Sequence, residues 1–239
     1  MIKTAIVTGA SRGIGEAVAR TLAGDGYTVI VNCANNIEKA EKIASETGGM
    51  AYRADVSDRK QVEKMFSAVY EKYKHIDLLV NNAGISISGL FTDISEADEK
   101  RIIDVNIMGT MNCSREALKY MISRKYGRII NIASMWGEVG ASCEVHYSMT
   151  KSAVIGFTKA LAKEVGMSGI QVNCVSPGMI LTDMTSGFSD DDLQELKSET
   201  PLQMLGVPQN IADTVSFLAS HKADFITGQV ISVNGGFVI

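Results

Sequence analysis

Three side chains in this sequence have types and spacing suited to delivering a proton to a carbonyl oxygen. Ser134 precedes Tyr147 by thirteen positions, and Lys151 follows the tyrosine by four. A phenol, with an ordinary pKa of about 10, keeps its proton at neutral pH but gives it up slowly. A nearby ammonium favours the phenolate and moves that value toward neutrality, which makes the tyrosine a usable acid, or a base in the reverse direction. Residues four apart on a helix project from one face, so Tyr147 and Lys151 can meet one ligand. Ser134 can donate to the oxygen as charge builds there. Such a set suits hydride transfer to a ketone carbon, with the hydride coming from a nicotinamide.

These residues need elements to hold them, and the chain supplies an alternation of short β-rich runs with longer helical patterns. Strands are expected at 4–8, 28–32, within 49–56, at 76–84, 127–134, 169–178 and 228–236. Helices are expected at 13–26, from the second strand to about 47, at 58–74, 95–124, 147–166, 189–199 and 208–219. Ile14, Val18 and Leu22 fall on one face of the first helix. Continuous apolar strands separated by helices predict an α/β, Rossmann-like, doubly wound parallel sheet of about seven strands with helices on both faces. Ligands then bind beyond the carboxyl ends of the strands. The 239 residues suit one domain, 1–239, and the Gly/Ser/Asp-rich part of 179–206 is the candidate substrate lid.

The stretch "TGASRGIG" (8–15) joins the first strand to the first helix. Its glycines permit close approach of a phosphate, and the helix N-terminus offers free N–H groups. An NAD site usually has an acid at the end of the second strand; here that end reads "VNCANN", and no acid comes before Glu38. Arg12 is suited to a 2′-phosphate, so NADP(H) is the expected cofactor.

The glycine spacing, "NNAG" (81–84) and Tyr147-x-x-x-Lys151 together resemble the short-chain dehydrogenase/reductase superfamily over the whole chain. The resemblance implies strand order 3-2-1-4-5-6-7 and a set of roles. Ser134 would position the carbonyl, Tyr147 would transfer the proton and Lys151 would hold the nicotinamide ribose. Asn106, in "DVNIMG", would hold a water in the proton relay. Cofactor contacts would come from Gly9, Ser11, Arg12, Gly13, Ile14 and Gly15, from Asn32, from Asp55 and Val56 around the adenine, and from Asn82, Ala83 and Gly84. Tyr147 and Lys151 would join them, with Pro177, Gly178 and Thr182 over the nicotinamide. It also implies a cytoplasmic homotetramer, packed through the helices after the fourth and fifth strands and near the C-terminal strand.

Within the superfamily the chain resembles 3-oxoacyl-(acyl-carrier-protein) reductases, and most closely a branch that reduces a 5-aminopentanone group on elongation factor P, through "WGEVGASCEVHYS" (136–148). Ser86-Ile87-Ser88 stands where the acyl-carrier enzymes commonly have Thr-Arg-Asp, Ser168 where they often have a basic residue, and Glu144 where they usually have glutamine. Lys125 and Arg128 remain as basic groups for docking an acidic carrier. Glu144 at the substrate mouth could pair with a substrate ammonium, or be a solvated loop acid; Trp136 could shape the cleft or pack on the neighbouring helix. Met135, Met149, Met179 and Met184 could form a pocket wall or ordinary core, Glu138 reads as a surface charge, and His75 and His221 read as surface residues. The expected substrate is a ketone, tethered to a carrier or protein.

Rival readings have less support. A non-catalytic NADP-binding regulator tends to lose the tyrosine or lysine, and a sugar-nucleotide epimerase is usually longer. A net charge of −4 disfavours nucleic acid or a polybasic membrane patch. No apolar run reaches the ~20 residues of a membrane span. Cys33, Cys113, Cys143 and Cys174 have no metal-ligand spacing and read as reduced thiols, so no metal is expected.

Overall fold

Seven parallel strands form one sheet, in the order β3-β2-β1-β4-β5-β6-β7. They are β1 (Lys3–Val7), β2 (Tyr27–Cys33), β3 (Met50–Arg53), β4 (Leu78–Asn81), β5 (Gly127–Ile132), β6 (Ile170–Pro177) and β7 (Val230–Val233). The computed structural model describes residues 3–185, 187 and 189–239, with backbone alone for Met184 and Asp190. Val7 lies opposite Val31 on one side and Val80 on the other, so the strand order reverses at β1. A crevice opens at such a reversal, beyond the strands' carboxyl ends.

The sheet is apolar on both faces because helices cover both. Alternate residues of β1 point opposite ways. Ala5 and Val7 pack with Val18 and Leu22 of α1 (Gly13–Gly24) and with Ile211 and Val215 of α9 (Pro208–Ala219). Ile6 packs instead with Met65 and Phe66 of α3 (Arg59–Tyr73) and Ala117 of α5 (Gly109–Arg124). The remaining helices are α2 (Ile37–Thr47), α4 (Glu96–Ile103), α6 (Trp136–Val139), α7 (Val145–Val165) and α8 (Asp190–Glu199). Among the described residues no helix is long and apolar enough to cross a membrane.

Two helical expectations change in detail. The expected helix over 95–124 is α4 and α5 joined by a π-helical segment, Asp104–Met108, which contains Asn106. Such a wide turn adds a residue without breaking the rod and re-aims its side chains. The helix expected to begin at Tyr147 begins at Val145, after the separate short helix α6. Gly137 allows α6 to lie against α7: a Cβ there would be 2.7 Å from the Lys151 backbone carbon.

The expected lid, 179–206, is tied at its base. Leu181 N–H donates to Gly206 O at 2.9 Å, and Gly206 N–H donates to Met179 O at 2.9 Å. Ser189 caps α8 with a reciprocal Asp192 bond. Ser186 and Phe188, within this stretch, lie outside the described residues, as does the side chain of Met184.

Candidate active site

A cleft of about 640 Å³ opens at the carboxyl ends of the strands. Every residue expected at the cofactor or substrate lines it, and so do Ser134, Tyr147 and Lys151. Asn106 is absent from the wall and stands one layer behind.

The glycine loop is shaped by close backbone packing. Gly9 has φ +61°, and a Cβ on it would sit 2.8 Å from Ala83 Cα. Asn82 bolts this contact, its Nδ2 donating to Thr8 O at 2.9 Å and Gly9 O at 3.2 Å. Gly13, at φ +56°, faces Thr182 across the cleft, and a Cβ there would come 3.6 Å from its methyl group. A narrow slot bounded by glycines, at the start of a twelve-residue helix, fits a dinucleotide pyrophosphate.

Some of these lining residues also serve the scaffold. Asn32 is buried, and its Nδ2 donates to Tyr52 O and Ala54 O at 3.2 and 3.0 Å while its Oδ1 faces Gly9 N–H at 3.4 Å. Its amide joins β2, β3 and the glycine loop, and the residue also lines the cleft. Asp55 accepts from Ser57 and Arg101. Burial alone would raise its carboxyl, but the Ser57 bonds and the Arg101 charge outweigh that and hold it below the usual range. Arg12 has its guanidinium 3.6 Å from Asp183, and both are exposed. Lys39, on the first turn of α2, also lines the cleft, although no motif in the sequence marks it out from other surface lysines.

The chemical wall forms where β5 meets α7. Ser134 lies just beyond the strand's end, and its hydroxyl is near enough to the Tyr147 phenol to lower its pKa. Its Oγ also accepts the Trp136 N–H at 3.2 Å. Lys151 is buried; its Nζ donates to Ile132 O at 2.9 Å and lies 5.6 Å from the centre of the Tyr147 ring. Gly84 makes room for this group, since a Cβ there would fall 3.3 Å from Lys151 Nζ and 3.4 Å from Asn106 Oδ1.

Burial sets the electrostatics of this wall. Tyr147 keeps a partly open face, yet its phenol is pushed up to about 12: burial raises it most, the Ser134 hydroxyl lowers it, and Glu144 raises it. Burial brings the Lys151 amine down to about 8, so it still carries its charge at neutral pH.

Asn106 grips the loop after β4. Its Oδ1 accepts Ile85 N–H at 2.9 Å, and its Nδ2 donates to Ile85 O at 2.9 Å and Thr150 Oγ1 at 3.0 Å. Both amide hydrogens are engaged by protein, so the side chain first positions Ile85. Glu144, at the N-cap of α7, faces the cleft and is partnered: Ser86 Oγ donates to it at 2.6 Å, and Ser88 Oγ also donates. It is not a solvated loop acid. Ser86 and Ser88 line the same wall, and sequence reading recorded them only as departures from a pattern.

Other expectations resolve by burial. Trp136 lines the cleft and packs edge-on against Phe237, 5.7 Å away. Met135 and Met179 line the cleft, while Met149 is exposed on α7. Arg128 is 3% exposed and binds Leu218 O and Asp224 inside the fold, so it cannot dock a carrier. His75 is half-buried, with its Nδ1 2.9 Å from buried Asp77. His221 is exposed and faces Asp224, and Glu138 is exposed and accepts from Ser232. All four cysteines are free thiols, with Cys143 exposed.

The sequence is similar throughout to known oxidoreductases. A family model described as enoyl-(acyl carrier protein) reductase matches residues 9–238. The chain is 43% identical over 241 residues to the 3-oxoacyl-[acyl-carrier-protein] reductase FabG of Staphylococcus aureus, covering 99% of this chain and 98% of that protein. It is 41% identical to the FabG of Aquifex aeolicus, over 98% of this chain and 96% of that one. It is 42% identical to a Bacillus subtilis protein named uncharacterized oxidoreductase YmfI, over 99% of each chain. With the sheet order and the serine–tyrosine–lysine wall, these matches exclude the non-catalytic reading: the chain belongs to the short-chain dehydrogenase/reductase family, nicotinamide-dependent oxidoreductases acting on CH–OH and C=O groups.

Proposed function

We propose that this chain is an NADPH-dependent ketoreductase that reduces a 3-oxoacyl thioester presented on a carrier. The observation that carries the reading is the meeting of Ser134, Tyr147 and Lys151 on one wall of a cleft whose other end is a glycine-bounded slot. The full-length similarity to two FabG proteins supports the acyl substrate. That similarity puts the acyl thioester ahead of the aminopentanone group as the leading reading.

NADPH, when bound, supplies the hydride. Tyr147 holds the proton for the ketone oxygen, and Ser134 orients that oxygen by donating to it. Lys151 supplies a positive charge beside the phenol and a donor for a ribose. The neutral phenol is secure at working pH, since burial opposes phenolate. Arg12 and Lys39 supply cations for the 2′-phosphate, and Lys39→Ala is expected to weaken NADPH binding about tenfold while leaving NADH unchanged. Fluorescence titration of the two cofactors measures this; equal effects on both would assign Lys39 no part in the choice.

The Lys151 value makes a pH prediction. Reduction is expected to fall as pH rises through about 8, where the buried ammonium loses its charge. Stability runs the other way: between about 8 and 10.5 the unfolded chain holds the lysine proton that the folded chain has released, so folding gains with pH there. A kcat/KM profile that stays flat to pH 9.5 or so would contradict the assigned role of Lys151.

A second reading, an amine-bearing ketone, is favoured by one observation: the Glu144 carboxylate faces the cleft. NADPH oxidation with a 3-oxoacyl thioester and with aminopentanone-modified elongation factor P separates the two. Faster turnover of the modified protein would overturn the acyl reading. Exposed Met108, Phe225 and Ile239 support a homotetramer, which light scattering would report as four chain masses.

A further inference from the structure

The segment 85–89 forms part of the cleft wall, yet it belongs to no helix or strand. Three pins hold it. Asn106 takes both backbone groups of Ile85 at 2.9 Å. Glu144 takes the hydroxyls of Ser86 and Ser88. Gly89 N–H donates to Cys143 O at 2.8 Å. The middle and last pins come from the two residues immediately before α7, the helix that carries Tyr147 one turn later. The places where the sequence departs from the acyl-carrier pattern, Ser86 and Ser88 on one side and Glu144 on the other, therefore touch across 56 to 58 positions of chain. They behave as a matched set.

We propose that Glu144 is a positioning residue whose carboxylate, clasped by Ser86 and Ser88, fixes the substrate wall against the helix of the proton donor. A carboxylate accepts only, so it can serve two hydroxyl donors at once, and charge-assisted bonds of this kind are stronger than neutral ones. Nothing covalent anchors the wall, and its other pins sit at its two ends. Losing the middle pin frees Ser86 and Ser88 to leave the geometry in which a ketone meets Ser134 and Tyr147. A wall that must first be ordered by the substrate takes that cost out of binding, so the loss falls on KM. The proposal rests on the ketoreductase reading for its kinetic consequence but not for its structural one.

The test uses Glu144→Ala, Glu144→Gln and the double variant Ser86→Ala/Ser88→Ala in the full chain. With a neutral 3-oxoacyl thioester, Glu144→Ala is expected to raise KM about tenfold while kcat stays within about threefold. Glu144→Gln should restore KM to within about twofold, because an amide accepts from one hydroxyl and donates to the other. The serine double variant should reproduce Glu144→Ala, and adding Glu144→Ala to it should cost nothing further, as expected for one shared interaction. Hydrogen exchange without substrate provides the second readout: amides of 85–89 should exchange at least about tenfold faster in Glu144→Ala and the serine variant. Unchanged exchange, or faster exchange with unchanged KM, would overturn the proposal. If the unaltered protein does not turn over the thioester, the substrate reading fails while exchange still decides the clasp. The serine variant, which removes two loop hydroxyls and nothing else, serves if Glu144→Ala does not fold.

Discussion

Tyr147→Phe is expected to cut ketone reduction by about 10²–10⁴-fold, the range for losing a positioned proton donor. The ring is retained, so the packing that surrounds it and the Lys151 contact to Ile132 O remain. NADPH affinity should stay within a few-fold of the unaltered protein. Rates of NADPH oxidation and a fluorescence titration measure the two halves of this expectation. Ser134→Ala should fall in the same direction but less far, since it removes a hydroxyl that both donates to the substrate oxygen and counters burial at the phenol. Appreciable turnover by Tyr147→Phe, at a tenth of the original rate or so, would show that the proton comes from elsewhere.

The second large effect is expected from a single methyl group. Gly9 lies in the left-handed region at φ +61°, and a Cβ there meets Ala83 at 2.8 Å to Cα and 3.2 Å to N. Backbone atoms cannot step aside as a side-chain tip can. Gly9→Ala should thus combine conformational strain with overlap, lowering the melting temperature by roughly 5–10 °C for a chain of this size. It should also part the glycine loop from the "NNAG" loop and weaken NADPH binding at least tenfold or so. Gly24 provides the control: a Cβ there meets nothing within 4 Å, and its backbone is helical. Gly24→Ala should leave cofactor affinity unchanged and stabilise the fold by about 0.5–1 kcal/mol. Thermal melts of both variants with and without NADPH make the comparison. Equal melting temperatures would mean that the close approach at Ala83 relaxes freely.

Much of this molecule is local, and its local part was readable from the chain. Val18 and Leu22 recur at helical spacing and are fully buried against β1 and β2. Tyr147 and Lys151 are four apart and do share a helix face, because 3.6 residues per turn leaves no other outcome once the helix forms. The β-branched runs became strands, and the order of the sheet is the one the family resemblance implied.

What depended on tertiary structure involves distance along the chain or depth below the surface. The phenol's value of about 12 is set chiefly by burial, and no motif states how deeply a group will lie. The lysine expected to acidify it is itself lowered, for the same reason. Arg128 reads as a docking cation until β5 is seen to bury it beside Leu218 and Asp224. Asn32 ties three neighbouring elements together through its amide, which its place in the sequence does not reveal. Glu144 and its two serines were each visible as single oddities. Only the parallel sheet, which brings the end of β4 beside the start of α7, makes them one object. Sequence periodicity is dictated by backbone geometry and acts over a few residues, whereas charge, solvation and long-range hydrogen bonds exist only after packing has chosen the neighbours.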